Sequence, residues 1–179
     1  MELTIRVKDK DFSIFIKADT IEAAIHKVAD SINADTVSEN PLFLVVLNGA
    51  FMFAADLLKK VNVNCSISFV KLASYSGTKS TETVKELIGL NEDIKGRSVI
   101  IVEDIIDTGK TLNVLMDLLK AHEVGKIRIA TLLFKPDAFQ GNYKIDYVGL
   151  DIPNDFIIGY GLDYDGFARN LPDIYKIVE

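Results

Sequence analysis

The sequence has 179 residues, of which 49% are hydrophobic and 26% are charged, and this composition is that of an ordinary globular domain. A formal net charge of −6 and a pI near 5.0 argue against a broad nucleic-acid-binding surface, because such surfaces are strongly basic. Residues 1–20 alternate apolar with charged positions, unlike a signal peptide or a membrane span, so we expect a cytoplasmic protein with no membrane partner.

The first third of the sequence predicts a strand pair followed by a helix. Residues 3–7 and 12–16 alternate with a period of two, as half-buried strands do. Asp19 and Glu22 have the spacing of a capping box, which predicts the start of an amphipathic helix. The apolar positions of this helix are Ile21, Ile25, Val28 and Ile32.

From residue 42 onward, continuous apolar strands alternate with helical patterns. The predicted strands are 42–47, 66–72, 98–103 and 126–134, with short runs at 146–150 and 156–162, and the predicted helices are 51–61 and 111–122. Such alternation predicts an α/β fold with a parallel sheet covered on both faces. Cys65 directly precedes the second of these strands, and we expect its thiol to be buried and inert.

One long polar segment interrupts this alternation. Residues 73–96 have no clear apolar period, although they lie between two predicted strands. Loops of this length in compact domains are usually lids, binding loops or disordered segments.

The polar residues that follow the strands predict one binding crevice. Ligands of open α/β sheets bind beyond the carboxyl ends of the strands. The polar positions there are Asn48 and Gly49, the segment after Leu72, the acids after Val102, and Lys135.

The most informative stretch is VIIVEDIIDTGKT, residues 99–111. Its ending suggests a nucleoside-triphosphate loop, but that loop requires a glycine where Asp104 stands. A helix that begins near Gly109 offers free N–H groups to a phosphate monoester, while Glu103 and Asp104 can accept hydrogen bonds from vicinal hydroxyls. A helix capped by its own acids explains Asp107 but leaves Glu103 and Asp104 unexplained. The stretch therefore indicates a ribose 5-phosphate site.

This stretch resembles the phosphoribosyl-pyrophosphate (PRPP) motif of the type I phosphoribosyltransferases, and with Asp107 it is most similar to the hypoxanthine-guanine group. The similarity extends from about residue 44 to 169 through LVVLNGAFMFAADLL, KLASYSG, LLFKP and FIIGYGLDYDGFARNLPDIY. The resemblance implies a Rossmann-like parallel-sheet core at about 20–150. It also implies a small hood from about 1–18 and 151–179, and a mobile lid at about 73–92, all in a single domain, 1–179.

The resemblance also implies a reaction and a set of residues. The 5-phosphoribosyl group would pass from PRPP to hypoxanthine or guanine, giving IMP or GMP and pyrophosphate. Asp107 would be the general base, and Glu103 and Asp104 would hold the ribose hydroxyls, directly or through Mg²⁺. The 5-phosphate loop would comprise Asp107, Thr108, Gly109, Lys110 and Thr111. The base pocket would comprise Lys135, Phe156, Ile157 and Leu162. The pyrophosphate site would comprise Asn48, Gly49, Ser74, Tyr75 and Arg169.

The resemblance also has implications for metal binding and for assembly, and the sequence differs from the family pattern at one position. Asp163 would bind a second Mg²⁺, and the protein would form a homodimer or homotetramer. The family often has a lysine where this sequence has Asn48, which puts the affinity for PRPP in doubt. Two other functions stay open, namely a xanthine-preferring phosphoribosyltransferase and a PRPP-sensing regulator that binds nucleic acid. The net acidity and Asp107 argue against the regulator.

Overall fold

The computed structural model describes residues 4–74, 84–88 and 93–178. Its strands are β1 (Thr4–Val7), β2 (Lys10–Ile16), β3 (Leu42–Leu47), β4 (Ser66–Ser74), β5 (Val84–Ile88), β6 (Ser98–Ile106), β7 (Lys126–Phe134), β8 (Tyr147–Asp151), β9 (Ile157–Ile158) and β10 (Ile174–Ile177). Its helices are α1 (Ala18–Asp35), α2 (Phe51–Leu58) and α3 (Lys110–Ala121).

The larger of two sheets has the strand order β5-β4-β3-β6-β7-β8. Five neighbouring strands of this sheet run parallel, namely β4, β3, β6, β7 and β8. The edge strand β5 pairs antiparallel with β4. This arrangement confirms the predicted parallel α/β core. Because the five parallel strands point the same way, their carboxyl ends meet at one edge of the sheet.

A smaller antiparallel sheet, in the order β1-β2-β10-β9, joins the two ends of the described chain. Residues 10–16 pair with both 4–7 and 174–177, so the sheet combines N-terminal and C-terminal segments. This sheet is the hood that the fold prediction includes. It places the loops around β9 close to the carboxyl edge of the larger sheet.

Apolar residues cover both faces of the larger sheet. One face packs against α1 and α2, and the predicted helix positions Ile21, Ile25, Val28 and Ile32 are all buried there. The other face packs against α3 through Leu112, Leu115 and Leu119. Burial on both faces explains why β3 and residues 99–102 of β6 are apolar without interruption.

At the opposite edge of the sheet, a charged cluster ties the strands together. The two terminal nitrogens of Arg128, Nη1 and Nη2, each lie 2.6 Å from a carboxylate oxygen of Glu39. Glu39 also accepts hydrogen bonds from Ser98 (2.7 Å) and Lys126 (3.0 Å). These contacts, above all the one to Arg128, hold the pKa of Glu39 well below its usual range. The cluster therefore stabilises the amino ends of β6 and β7.

Three local expectations are wrong. Lys17 precedes α1 and its side chain makes no capping hydrogen bond, while Asp19 lies inside the helix and accepts from its neighbour Thr20, so the expected capping box does not form. The first N–H of the helix, that of Ala18, is instead accepted by Asp173 Oδ1 at 2.7 Å. Residues 84–88 form β5 inside the segment for which no strand was expected. Cys65 is exposed, because part of the face of β4 that carries Ile67 and Phe69 is open to solvent.

Among the described residues, no helix is both long and apolar enough to cross a bilayer.

Candidate active site

The end of β3 forms one wall of the crevice. A cis peptide bond links Leu47 to Asn48, and Gly49 follows so close to Asp104 that a Cβ atom at position 49 would overlap the Asp104 carboxylate. A Cβ atom at Gly161, in the hood, would overlap the carbonyl oxygen of Gly49. The two glycines thus allow the hood, β3 and β6 to converge on Asp104.

The two acids near the end of β6 are held in an unfavourable environment. Glu103 is buried, and burial together with the neighbouring Asp104 raises its pKa well above the usual value. Burial also raises the pKa of Asp104 to about 6, against the opposing effect of backbone hydrogen bonds and of Arg169. Protein groups alone therefore leave these carboxylates poorly stabilised in their charged forms. Hydroxyl or cation ligands would stabilise them.

The loop after β6 leads directly into the first turn of α3. Gly109 precedes the helix with a φ of 83°, a left-handed conformation that favours glycine. No side chain in the described part of the chain caps α3, so the alternative of a helix capped by its own acids is not supported. Lys110 and Thr111 are exposed in the first turn, and Thr108 is half-buried just before it. The free N–H groups there suit an anion such as a phosphate.

Lys135 and Asp107 meet between the ends of β6 and β7. The Lys135 Nζ atom lies 3.2 Å from Asp107 Oδ2 and 3.3 Å from Asn154 Oδ1. The lysine side chain is only 9% exposed, whereas that of Asp107 is 47% exposed. A buried ammonium donor therefore stands beside a carboxylate that incoming molecules can reach.

Phe156 presents an open aromatic face in the hood. Its ring packs against Phe12 and Tyr164, with centroid distances of 6.4 and 5.9 Å, yet the residue remains 47% exposed. This exposure leaves ring surface on which a planar ligand can stack. Ile157 is buried and Leu162 is half-buried, and both pack into the main core.

The hood contributes an ion pair above the strand ends. Arg169 Nη2 lies 2.6 Å from Asp163 Oδ1, and Arg169 Nη1 donates to the Gly161 carbonyl at 2.7 Å. Asp163 Oδ2 accepts the Gly166 N–H at 2.7 Å. Both groups influence the pKa of Asp104 electrostatically, so the structure brings Asp163 and Arg169 near the β6 acids.

The donor set fits a magnesium ion that is shared with a substrate. The described residues contain no group of three or more His, Cys, Asp or Glu placed to hold a metal ion. Mg²⁺ commonly uses only one or two carboxylates and completes its shell with water and phosphate oxygens. Glu103 and Asp104 offer such a pair, and a bound cation would relieve the repulsion that raises the pKa of Glu103.

Of the two expected pyrophosphate-site residues on the polar segment, the structure describes one. Ser74 ends β4, and its backbone pairs with Val84, whereas Tyr75 lies outside the described residues. The expected lid at 73–92 falls largely outside them as well, apart from the end of β4 and the strand β5.

Sequence reasoning missed Asn154, Gly161 and Tyr143. Asn154 follows β8, so the rule that polar residues after parallel strands line the crevice would have found it. Gly161 stands in the hood with a φ of 99°. Tyr143 donates to the carbonyl of Gly109 at 3.0 Å, and nothing in its local sequence indicates this contact.

A parallel sheet that brings two acids and the start of α3 together at its carboxyl edge suits a ligand with sugar hydroxyls and a phosphate group. The chain belongs to the phosphoribosyl transferase domain family, whose model matches residues 16–165.

The relatives lie within the hypoxanthine group of this family. The chain is 40% identical to the hypoxanthine-guanine phosphoribosyltransferase of Streptococcus thermophilus over 173 residues, which is 96% of both chains. It is 40% identical over 162 residues to the bifunctional protein TilS/HprT of Listeria innocua and spans 25% of that longer protein. The crystal structure of a hypoxanthine phosphoribosyltransferase from Staphylococcus aureus superposes with a TM-score of 0.87 at 34% identity, covering 93% of this chain and 91% of that one.

Proposed function

We propose that this protein is a purine-salvage enzyme that transfers the 5-phosphoribosyl group of PRPP to hypoxanthine and guanine. The observation that carries the proposal is the pairing of Lys135 with Asp107, 3.2 Å apart, directly before the helix start that suits a phosphate. The names of the relatives support this substrate class.

Lys135 and Asp107 match the two polar edges of a 6-oxopurine. The exocyclic oxygen accepts a hydrogen bond, which the Lys135 ammonium supplies. A nitrogen of the imidazole ring carries a proton, which the Asp107 carboxylate accepts as general base. Before the base arrives, each group satisfies the other, so the buried lysine is not left unpaired.

The reaction replaces one bond at the ribose anomeric carbon with another. The carbon–oxygen bond to pyrophosphate breaks with its electron pair, and a carbon–nitrogen bond to the purine forms as the ring proton passes to Asp107. Positive charge develops on the ribose, where Glu103 and Asp104 stabilise it, and negative charge develops on the leaving group. In this proposal Arg169 exchanges its partner Asp163 for the pyrophosphate and binds it bidentately.

Mg²⁺, when bound with PRPP, supplies positive charge to the pyrophosphate oxygens. We propose that Glu103 and Asp104 hold one ion and that Asp163 holds a second, each together with phosphate oxygens. The proposal also places the ribose 5-phosphate on residues 107–111 and the purine ring on Phe156, with Ile157 and Leu162 behind it. Pyrophosphate lies near Asn48, Gly49, Ser74 and Tyr75.

The setting of the enzyme is part of the same proposal. We place it in the cytoplasm as a homodimer or homotetramer with no nucleic-acid partner, and we assign residues 73–92 to a lid that excludes water from the reactive sugar. The activity is proposed for the 179-residue chain, because the matching region makes up only 25% of the longer relative from Listeria innocua.

A panel of purine bases tests the proposal. The protein is incubated with PRPP and Mg²⁺ and with hypoxanthine, guanine, xanthine or adenine, and nucleotide formation is measured. We expect turnover with hypoxanthine and guanine and little with adenine, which has no exocyclic oxygen for Lys135. Preference for xanthine would support the xanthine-specific alternative. Absence of turnover with all four bases, together with salt-dependent nucleic-acid binding, would support the regulator.

A further inference from the structure

Residues 139–143, which we call the support segment, lie against the proposed 5-phosphate loop. The Gln140 N–H donates to the Thr108 carbonyl at 3.2 Å, and the Tyr143 hydroxyl donates to the Gly109 carbonyl at 3.0 Å. Two successive carbonyl groups of the loop are therefore held by one short segment that follows β7.

These contacts orient the N–H groups of the loop. In a planar trans peptide the carbonyl and the N–H point in opposite directions. When the support segment holds the Thr108 carbonyl, it turns the Gly109 N–H away from itself. When it holds the Gly109 carbonyl, it does the same to the Lys110 N–H. Rotation of either peptide would present a carbonyl oxygen to the phosphate and repel it.

Packing reinforces this arrangement. Phe139 and Tyr143 pack edge to face with a centroid distance of 5.4 Å. A Cβ atom at Gly109 would stand 2.8 Å from the Phe139 ring and 2.9 Å from the Tyr143 hydroxyl. The Gly109 carbonyl also accepts the Asn113 N–H at 3.0 Å, so it is fixed from the helix as well.

We propose that Tyr143 is a positioning residue that holds the Gly109 carbonyl so that the loop presents its N–H groups to the 5-phosphate. This inference rests on the proposed function and deepens it. Burial raises the pKa of the Tyr143 hydroxyl, so it remains a donor at neutral pH. Its hydroxyl contacts the Gly109 carbonyl, so the proposed effect falls on the phosphate end of the ligand.

Tyr143→Phe tests the inference, because it removes the hydroxyl and keeps the ring. We expect the KM for PRPP and the Kd for IMP to rise about three- to tenfold, the usual effect of one lost hydrogen bond. The KM for hypoxanthine at saturating PRPP should stay within about twofold, because the base end of the site is untouched.

Tyr147→Phe is the matched control. The Tyr147 hydroxyl donates to Asp35 at 3.1 Å, away from the loop, so this variant should lose stability without any change in KM for PRPP. Unchanged PRPP and IMP binding in Tyr143→Phe, or an equal rise in KM for hypoxanthine, would overturn the positioning role. If the wild-type protein formed no IMP from PRPP and bound none, the proposed function itself would fail, and the positioning role with it.

Discussion

The replacement of Asp104 by Asn should stabilise the ligand-free protein while it weakens PRPP binding. The pKa of Asp104 rises from 3.8 to about 6, mainly through burial. Between these values the folded protein holds a proton that the unfolded chain has lost, so stability falls as the pH rises from about 4 to about 6. At 1.36 kcal/mol per pKa unit this costs about 3 kcal/mol at neutral pH. Because Asp104 is partly exposed, solvent reduces the cost to about 1–2 kcal/mol.

Urea unfolding at two pH values measures this effect. At about pH 8, Asp104→Asn should unfold with a free energy about 1–2 kcal/mol higher than the wild type, because it removes a half-buried charge and its repulsion of Glu103. At about pH 3 the difference should nearly vanish, since Asp104 is then largely protonated in both the folded protein and the unfolded chain. Asp30→Asn, on the exposed side of α1, is the control for a simple change in net charge and should show neither effect. A less stable Asp104→Asn variant at pH 8, or the same gain at both pH values, would refute the reasoning.

Three further predictions concern other positions. Asp107→Asn should reduce kcat by at least about 100-fold while the Kd for PRPP stays within about threefold, and full activity would remove the proposed base. Glu39→Gln should lower the urea-unfolding free energy by about 2 kcal/mol above pH 5, because Arg128 loses a charged partner. This difference should shrink below about pH 4, because the stabilisation that the wild-type Glu39 carboxylate provides decreases as the pH falls toward its lowered pKa. Gly49→Ala should raise the KM for PRPP about 10-fold or more by displacing the Asp104 carboxylate, and unchanged kinetics would contradict that close approach.

The parallel core and the crevice could be predicted because each buried strand is encoded by the apolar pattern of its own residues. An apolar strand buried on both faces is recognisable from its own residues, as in β3 and β6. Once those strands are parallel, the residues that follow them must meet at one edge. The proximity of Gly49 to Asp104, and of Asp107 to Lys135, follows from this rule.

The features that sequence reasoning missed depend on contacts between distant segments. Tyr143 reaches Gly109 only because residues 135–146 fold back beside α3, and no periodicity encodes that path. The exposure of Cys65 follows from the open face of β4, whereas the apolar sequence around it suggested burial. Within the described ranges the strand β5 pairs only with β4, at the end of the sheet, and its five residues are too few for a clear period.

A crystal structure with a bound nucleoside 5′-monophosphate tests the central claim most directly. We expect the phosphate to lie at the N-terminus of α3 within hydrogen-bond distance of the N–H groups of residues 109–111. The ribose hydroxyls should lie at Glu103 and Asp104, and the base should lie between Phe156 and Lys135. A nucleotide bound elsewhere, with this crevice empty, would contradict the account.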